Sequence, residues 1–244
     1  MGNPTAGMVV IGDEILSGRT RDANMHHLAG RLTAAGIDLA EVRVVPDLQA
    51  RIVTALNALR ESCDHVFTSG GIGPTHDDIT ADAVAAAFGV GVDVRADARA
   101  ILAEHYAKTG RDLNAARLRM ARIPDGAALI ENPVSAAPGF SLGNVHVMAG
   151  VPSVFEAMVA SVLPTLTGGA PLISRTLRVD EPEGEVAAVL NGVVGDHADL
   201  SFGSYPFIAG QVYGTRIVIR GTDEERIGAA LAVLAAKFPG AVEE

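Results

Sequence analysis

A loop rich in glycine, threonine and aspartate is the segment best suited to chemistry. It runs from Thr68 to Thr80 and reads Thr-Ser-Gly-Gly-Ile-Gly-Pro-Thr-His-Asp-Asp-Ile-Thr. Glycines let the backbone approach a ligand and point N–H groups at it, and the following helix N-terminus adds partial positive charge. Those are the requirements of a phosphate cradle. The candidate phosphate-binding residues are Thr68, Ser69, Gly70, Gly71, Gly73 and Thr75.

Two adjacent carboxylates, Asp77 and Asp78, close this loop. They would repel a bound phosphate unless a cation lay between them. A divalent metal, Mg²⁺, Mn²⁺ or Co²⁺, held by one or two carboxylates and by phosphate oxygens removes that conflict. The alternative is that one of the two aspartates only caps the helix that begins near Ile79.

Two other acidic positions are expected at the same edge of the sheet, because loops after parallel strands meet there. The segment Gly12–Gly18 follows the first strand and supplies Glu14 as a metal ligand and Ser17 as a ligand contact. Asp47 follows the second strand and is a candidate for orienting a catalytic water. Its alternative role is to cap a helix that starts at Leu48.

A proline-constrained loop, Glu131–Phe140, is the third candidate segment. Asn132, Pro133 and Gly139 could hold a base or pterin ring through backbone hydrogen bonds, or the loop is a plain connection. The glycine loop fits neither the dinucleotide fingerprint nor the P-loop, because His76 stands where the third glycine belongs and no Gly-Lys-Ser/Thr follows. The sequence contains no G-x-S-x-G serine elbow.

Alternating strands and helices must position these loops. Strands are predicted at Ala6–Ile11, Leu39–Val45, His65–Thr68 and Val145–Met148, and helices at Asp22–Ala35, Leu48–Glu61, Ala81–Phe88, Asp97–Thr109, Leu113–Ile123 and Val154–Leu166. This order implies right-handed crossovers and a mostly parallel sheet. Thr167–Pro171 has the composition of a linker, and a strand–helix–strand–strand–helix pattern follows it.

The composition supports an α/β protein without a nucleic-acid or membrane partner. Apolar residues make up 48% of the chain and aromatic residues 4%, as expected where Val-rich strands alternate with Ala-rich helices. Net charge is −10, and residues 171–244 carry 6 basic and 11 acidic side chains, without a basic stripe. No run approaches a membrane span. The single cysteine fits a cytoplasmic protein.

At these motifs the chain resembles the molybdopterin-binding (MoaB/Mog-type, molybdenum-cofactor biosynthesis) domain superfamily, and most closely the amino-terminal domain of the competence/damage-inducible protein A (CinA) family. The resemblance rests on Ile11–Gly18, Asp22–Asn24, Gly70–Thr80, Asn132–Phe140 and Gly150–Ser153. Together these pieces span about residues 7–167. The Gly-Gly-x-Gly-Pro-Thr-x-Asp-Asp string is the most specific of them.

The resemblance implies a three-layer α/β/α domain, residues 1–167, followed by a small α+β (βαββα, KH-like) domain, residues 171–244. It implies phosphate binding at Gly70–Gly73, with Asp47 and Asp78 as the catalytic acidic positions. It also implies metal-dependent hydrolysis of a nucleotide pyrophosphate, ADP-ribose giving AMP and ribose 5-phosphate. A molybdopterin-binding or adenylyl-transfer protein is the alternative. We expect a homo-oligomer.

The chain departs from the family pattern in three places. The usual Pro-Gly-Val-Pro is Ala149-Gly150-Val151-Pro152, and the Asn-rich segment before the Ile-Pro turn is Ala115–Arg119. These changes bear on the substrate rather than on the fold. The amidase domain of full-length CinA proteins does not follow, so that activity is not expected.

Overall fold

The computed structural model describes residues 2–210 and 212–244, so Met1 and Gln211 lie outside the described residues. The chain divides into two compact units, Met1–Gly169 and Ala170–Glu244. Residues 167–171 are exposed and in neither helix nor strand. Within the described part, none of the helices is long and apolar enough to cross a membrane.

The first unit contains a six-stranded sheet and seven helices, and a two-stranded ribbon lies beside them. Its strands are β1 (Thr5–Ile11), β2 (Asp38–Val45), β3 (His65–Ser69), β4 (Val92–Val94), β5 (Arg122–Pro124), β6 (Ala128–Ile130), β7 (Gly139–Leu142) and β8 (Val145–Met148). Its helices are α1 (Asp13–Leu16), α2 (Asn24–Ala34), α3 (Gln49–Ser62), α4 (Thr80–Phe88), α5 (Ala96–Lys108), α6 (Ala115–Leu118) and α7 (Pro152–Val162).

The large sheet has the order β2-β1-β3-β8-β7-β6, with the first four strands parallel and β7 and β6 antiparallel to their neighbours. Alternate residues of β1 face opposite sides: Val9 and Ile11 pack in a core with α3, α4 and α5, whereas Met8 and Val10 pack in a core with α2 and α7. A central strand buried on both faces explains its continuous apolar sequence. The predicted three-layer, mostly parallel α/β fold is confirmed.

The second unit is an antiparallel sheet covered on one face by two helices. It contains β9 (Ile173–Val179), α8 (Glu183–Asp196), β10 (Ser201–Ala209), β11 (Val212–Gly221), α9 (Glu224–Lys237) and β12 (Val242–Glu243), in the strand order β10-β11-β9-β12. The predicted pattern lacked only β12. Asp223 caps α9 by accepting hydrogen bonds from the N–H groups of Glu225 and Arg226.

The predicted helix Leu113–Ile123 is wrong. Only Ala115–Leu118 is α-helical, a 3₁₀ turn covers Arg119–Ala121, and the chain then pairs as β5 with β4. Arg122 also donates two hydrogen bonds to the Asp82 carboxylate of α4, at 2.6 and 2.7 Å. Strand pairing and this ion pair override the helical spacing of the segment.

Candidate functional site

A cavity of about 520 Å³ opens where the parallel strands end. Loops after β1, β2, β3 and β8 contribute to its wall, as the position of a ligand site in an open α/β sheet requires. Several of its lining residues are apolar, including Ile11, Ile72, Met120 and Val151. The sequence-predicted residues that line it are Glu14, Asp47, Gly70, Gly71, Gly73, Thr75, Asp77, Asp78 and Asn132.

Three consecutive backbone amides in this wall have no partner. Gly70 donates its N–H to the carbonyl of Met148, and Thr80 donates to the carbonyl of Gly71, so the loop is fixed at both ends. Between those anchors, the N–H groups of Gly71, Ile72 and Gly73 donate no hydrogen bond within the described chain. We call these three groups the amide cradle. Adjacent free N–H groups are the donors that a phosphate accepts from.

Close packing explains why glycine occupies the start of the loop. At Gly70, with φ of 107°, a Cβ atom would lie 2.3 Å from the carbonyl oxygen of Ile11. At Gly71, with φ of 69°, it would lie 2.1 Å from Oγ1 of Thr80. A side chain at either position would displace the loop as well as strain the backbone.

The loop beyond the cradle is held by Asp78 and Arg119. Oδ2 of Asp78 accepts hydrogen bonds from the backbone N–H of Thr75, at 2.7 Å, and from its hydroxyl, at 2.5 Å. The guanidinium group of Arg119 donates to the carbonyls of Thr75 and Asp78, both at 3.2 Å. No side chain caps α4, whose N-cap is Ile79, so the capping alternative for Asp77 and Asp78 is wrong.

Asp47 braces a neighbouring loop and has an altered acidity. Its Oδ2 accepts a hydrogen bond from the backbone N–H of Asp13 at 2.9 Å, and it does not cap α3, whose N-cap is Leu48. Burial raises the pKa of the Asp47 carboxyl above its usual value, an effect that the Asp13 N–H partly opposes. The carboxylates of Glu14, Asp13 and Asp77 raise this pKa further.

The charged side chains that line the cavity are all acidic. Glu14, Asp47, Asp77 and Asp78 line it, and no lysine or arginine does among the described residues. These carboxylates do not form a cage: within the described ranges, no group of three or more His, Cys, Asp or Glu side chains is placed to hold a metal ion. The described residues therefore supply separate carboxylates and not a preformed metal cage.

Asn24 supports the cradle from behind, although the sequence analysis did not select it as a site residue. Its side chain is 3% exposed, and its Nδ2 donates to Oγ of Ser69, at 2.7 Å, and to the carbonyl of Gly150, at 2.8 Å. These bonds join the end of β3 to the loop after β8. The available signal was its place in the Asp22–Asn24 segment, one of the motifs on which the family resemblance rests.

Other predicted ligand residues have structural contacts instead. Thr68 and Ser69 are buried in β3, and Gly139 lies in β7, where a Cβ would meet the carbonyl of Val147 at 2.4 Å. The Asn132 carboxamide is used by its own loop: it donates to Ser135 and Ala137 and accepts from the N–H groups of Val134 and Ser135. Ser17 and Pro133 are exposed residues that do not line the cavity.

Comparison with known proteins finds a similar described family for each unit. Residues 7–168 match the family described as "Probable molybdopterin binding domain". Residues 171–244 match the family described as "FAD synthase, middle domain". The second match replaces the KH-like assignment expected for this unit from the sequence.

Individual relatives agree with the first match. A protein of Aeropyrum pernix is 38% identical over 174 residues, which are 69% of this chain and 65% of that protein. A CinA-like protein of Citrifermentans bemidjiense is 39% identical over 163 residues, 65% of this chain but only 39% of its own length. The crystal structure of the protein CinA with unknown function from Thermoplasma acidophilum is 36% identical, covers 66% of this chain and 97% of its own, and gives a TM-score of 0.61.

Proposed function

The chain belongs to the molybdopterin binding domain family, and we propose that its cavity binds a phosphate-bearing pterin of the molybdopterin type. The amide cradle of Gly71, Ile72 and Gly73 carries this proposal, because three N–H groups that donate to no other described group belong to residues lining a cavity at the ends of parallel strands. The ligand phosphate accepts from these groups, and the planar ring lies against the apolar part of the wall.

A divalent cation accompanies the ligand in this proposal. A phosphate brings negative charge into a cavity already lined by Glu14, Asp47, Asp77 and Asp78. Bound metal would supply the neutralising charge, with Glu14, Asp77 and Asp78 as its candidate protein ligands. Pterin affinity should therefore fall when divalent metal is removed.

Ligand-dependent thermal stability tests this function. The protein is heated with molybdopterin under anaerobic conditions, or with ADP-ribose, NAD, FAD or ATP, each with and without Mg²⁺, Mn²⁺ or Co²⁺. A ligand that binds the native state raises the melting temperature. We expect the largest metal-dependent rise with the pterin. A panel without any metal-dependent rise would exclude the proposal.

Hydrolysis of a nucleotide pyrophosphate such as ADP-ribose is a second candidate function, favoured by the raised pKa of Asp47 beside the cradle. In this reaction Asp47 orients a water and takes its proton while the water oxygen bonds to phosphorus. The bond from that phosphorus to the bridging oxygen breaks, giving AMP and ribose 5-phosphate. The cradle amides stabilise charge developing on the phosphoryl oxygens, and a bound metal would polarise them.

Turnover assays separate the two functions. The protein is incubated with ADP-ribose and each metal, and AMP is quantified. If it is a hydrolase, Asp47→Asn lowers kcat by about 100-fold, the scale of losing a general base, while exposed Asp112→Asn leaves kcat unchanged. If pterin binding is metal-dependent and AMP never forms, the site binds without hydrolysis.

The expected homo-oligomer stays a prediction, checked by light scattering.

A further inference from the structure

The second unit has one sheet face that its helices do not cover. Tyr205 of β10 pairs with Arg216 of β11, which pairs with Arg178 of β9, so these three side chains form one cross-strand row. Their strand neighbours Ile217 and Leu177 point the other way, into the core formed with α8 and α9. Since side chains alternate along a strand, the row lies on the helix-free face.

Two aromatic rings lie over glycine backbone on that face. Phe207 pairs with Gly214, where a Cβ atom would lie 2.4 Å from the phenyl ring. A Cβ at Gly203 would lie 2.8 Å from the ring of Tyr205. The two glycines therefore leave room for the rings to rest on the strands. Tyr205 is 47% exposed.

Arginines surround these rings. The guanidinium carbons of Arg178 and Arg216 lie 4.8 and 4.6 Å from the centroid of the Phe207 ring. Arg220, in register with Ser201 on the same face, donates to the Tyr205 hydroxyl at 3.2 Å. We call Arg178, Tyr205, Phe207, Arg216 and Arg220 the arginine–aromatic face.

The face carries an excess of positive charge within an acidic unit. Arg178 pairs with Asp180 at 2.8 Å and Arg216 with Glu244 at 2.6 Å. Arg220 has no carboxylate partner in the part of the chain that the structure describes. Each guanidinium group has five N–H donors, so a paired arginine keeps donors for another anion.

We propose that the arginine–aromatic face binds single-stranded nucleic acid. Arginines meet phosphates and the exposed ring of Tyr205 stacks with a base, the combination found in sequence-tolerant single-strand binding. Tyr205 and Phe207 are two residues apart on one strand, which separates them by about 7 Å. Phe207 is only partly exposed and carries the guanidinium groups of Arg178 and Arg216 over its ring, so the base stacks on Tyr205 while these arginines meet the flanking phosphates, an arrangement that favours a strand over a mononucleotide.

This proposal departs from the expectation drawn from net charge. The 11 acidic side chains of residues 171–244 outnumber the 6 basic ones. However, Arg178, Arg216 and Arg220 are half of those basic side chains, and the fold gathers them on one face. The binding of an anionic ligand depends on the local arrangement of charged side chains as well as on the net charge of the unit.

Fluorescence polarisation with the full chain tests the proposal. The probes are 12-nucleotide single-stranded RNA and DNA with 5′-hydroxyl ends, measured in EDTA so that the amide cradle meets neither terminal phosphate nor metal. We expect binding in the micromolar range at 50 mM salt. Its salt dependence should correspond to about two or three phosphate contacts. Polyphosphate, which has no bases, serves as the competitor.

Matched variants show which residues carry the binding. Tyr205→Ala should raise Kd by roughly fivefold or more, the scale of losing one base–ring stack, and Arg220→Gln should reduce the salt dependence. Glu244→Gln should lower Kd, because it removes the carboxylate that competes for Arg216. Tyr213→Ala and Arg226→Gln are the controls. Tyr213 is next to Gly214 on β11 and therefore points to the opposite face of the sheet, and Arg226 lies on α9.

Either of two results would overturn the proposal. One is that the parent chain, folded as judged by circular dichroism, does not bind either probe even at about 100 μM protein. The other is binding that polyphosphate displaces as well as RNA does and that Tyr205→Ala leaves unchanged, which shows charge attraction without base stacking. Tighter binding by Glu244→Gln together with weaker binding by Tyr205→Ala supports it.

Discussion

Asp47 and Asp78 each accept a hydrogen bond from a nearby loop that their positions in the sequence did not predict. Asp47 and Asp78 both precede helices, so capping was a reasonable alternative for each. In the structure Asp47 accepts from the Asp13 N–H and Asp78 accepts from Thr75. Both carboxylates therefore hold the loops that line the cavity and do not cap α3 or α4.

The raised pKa of Asp47 predicts a pH-dependent effect of Asp47→Asn on stability. Folding disfavours the ionised form of this carboxyl, so the parent protein is destabilised at pH values above the raised pKa. The asparagine still accepts from Asp13 but carries no charge. The variant should be more stable than the parent at pH 8. The gain should shrink as pH falls through the raised pKa and vanish below the usual value of 3.8.

Urea unfolding at several pH values measures this difference directly. Exposed Asp112→Asn is the control, because that side chain lies outside the cavity. An Asp47→Asn protein that is less stable than the parent at pH 8 would contradict the assignment of a buried, charge-crowded carboxyl.

Asn24 offers a test of whether the cradle depends on its support. Asn24→Ala leaves the Ser69 hydroxyl and the Gly150 carbonyl without their donor, and should cost about 1–3 kcal/mol of unfolding free energy. Ligand affinity should fall as well, because the two loops are no longer joined. Asn144→Ala is the matched control, since its Nδ2 donates to the carbonyls of Arg60 and Cys63 outside the cavity.

Chemical denaturation measures the free energy of unfolding of both variants, and calorimetric titration measures their affinity for the ligand. Similar losses of stability with a loss of affinity only in Asn24→Ala would show a positioning role. Equal affinities in the two variants would reduce Asn24 to an ordinary buried amide.

At the scale of elements, regular apolar periodicity predicted the strands of the parallel sheet. It did not predict strands that form only because they pair with a distant part of the chain. The parallel strands β1, β2, β3 and β8 have Val-rich sequences that read clearly. The strand β4 does not, because its three residues provide too little alternation to recognise, and β7 does not, because it begins with a glycine and contains a serine. The chain at Arg122–Pro124 forms a strand only because β4 is present to pair with it.

Two glycines with similar backbone angles, Gly71 in the turn from β3 to α4 and Gly89 at the end of α4, should respond differently to substitution by alanine. Gly71 and Gly89 have φ of 69° and 67°, so alanine at either strains the backbone by about 1–2 kcal/mol. Only at Gly71 would the new Cβ meet a neighbour, Thr80 Oγ1; at Gly89 nothing lies within 4 Å. Gly71→Ala should abolish ligand binding, whereas Gly89→Ala should lower the melting temperature and leave affinity intact.

Ligand titration monitored alongside thermal unfolding distinguishes these effects. Unimpaired affinity in Gly71→Ala would show that the ligand phosphate does not use the amide cradle.

At the scale of the whole molecule, the position of the cavity could be predicted from the sequence because the topology of a parallel sheet determines where its loops meet. Loops after parallel strands meet at one edge, so Glu14, Asp47 and Gly70 could be grouped from positions far apart in the chain. The same rule says nothing about which atoms are already hydrogen-bonded. For that reason the use of the Asn132 carboxamide by its own loop, and the clamp made by Asn24, appear only in the structure. Likewise, net charge hides the clustering of arginines on one sheet face.

The division into Met1–Gly169 and Ala170–Glu244 predicts that the ligand of the amide cradle protects one unit selectively. Residues 167–171 are exposed and lie outside regular structure, so a protease of broad specificity should cleave there first and release two resistant fragments. Adding the cradle ligand with metal should slow later degradation of the larger fragment and leave that of the smaller one unchanged, because binding stabilises only the unit that holds the site. Mass spectrometry of a digestion time course measures both effects. Equal protection of the two fragments, or first cleavage within a helix or strand of either unit, would show that the units do not behave as separate folding bodies.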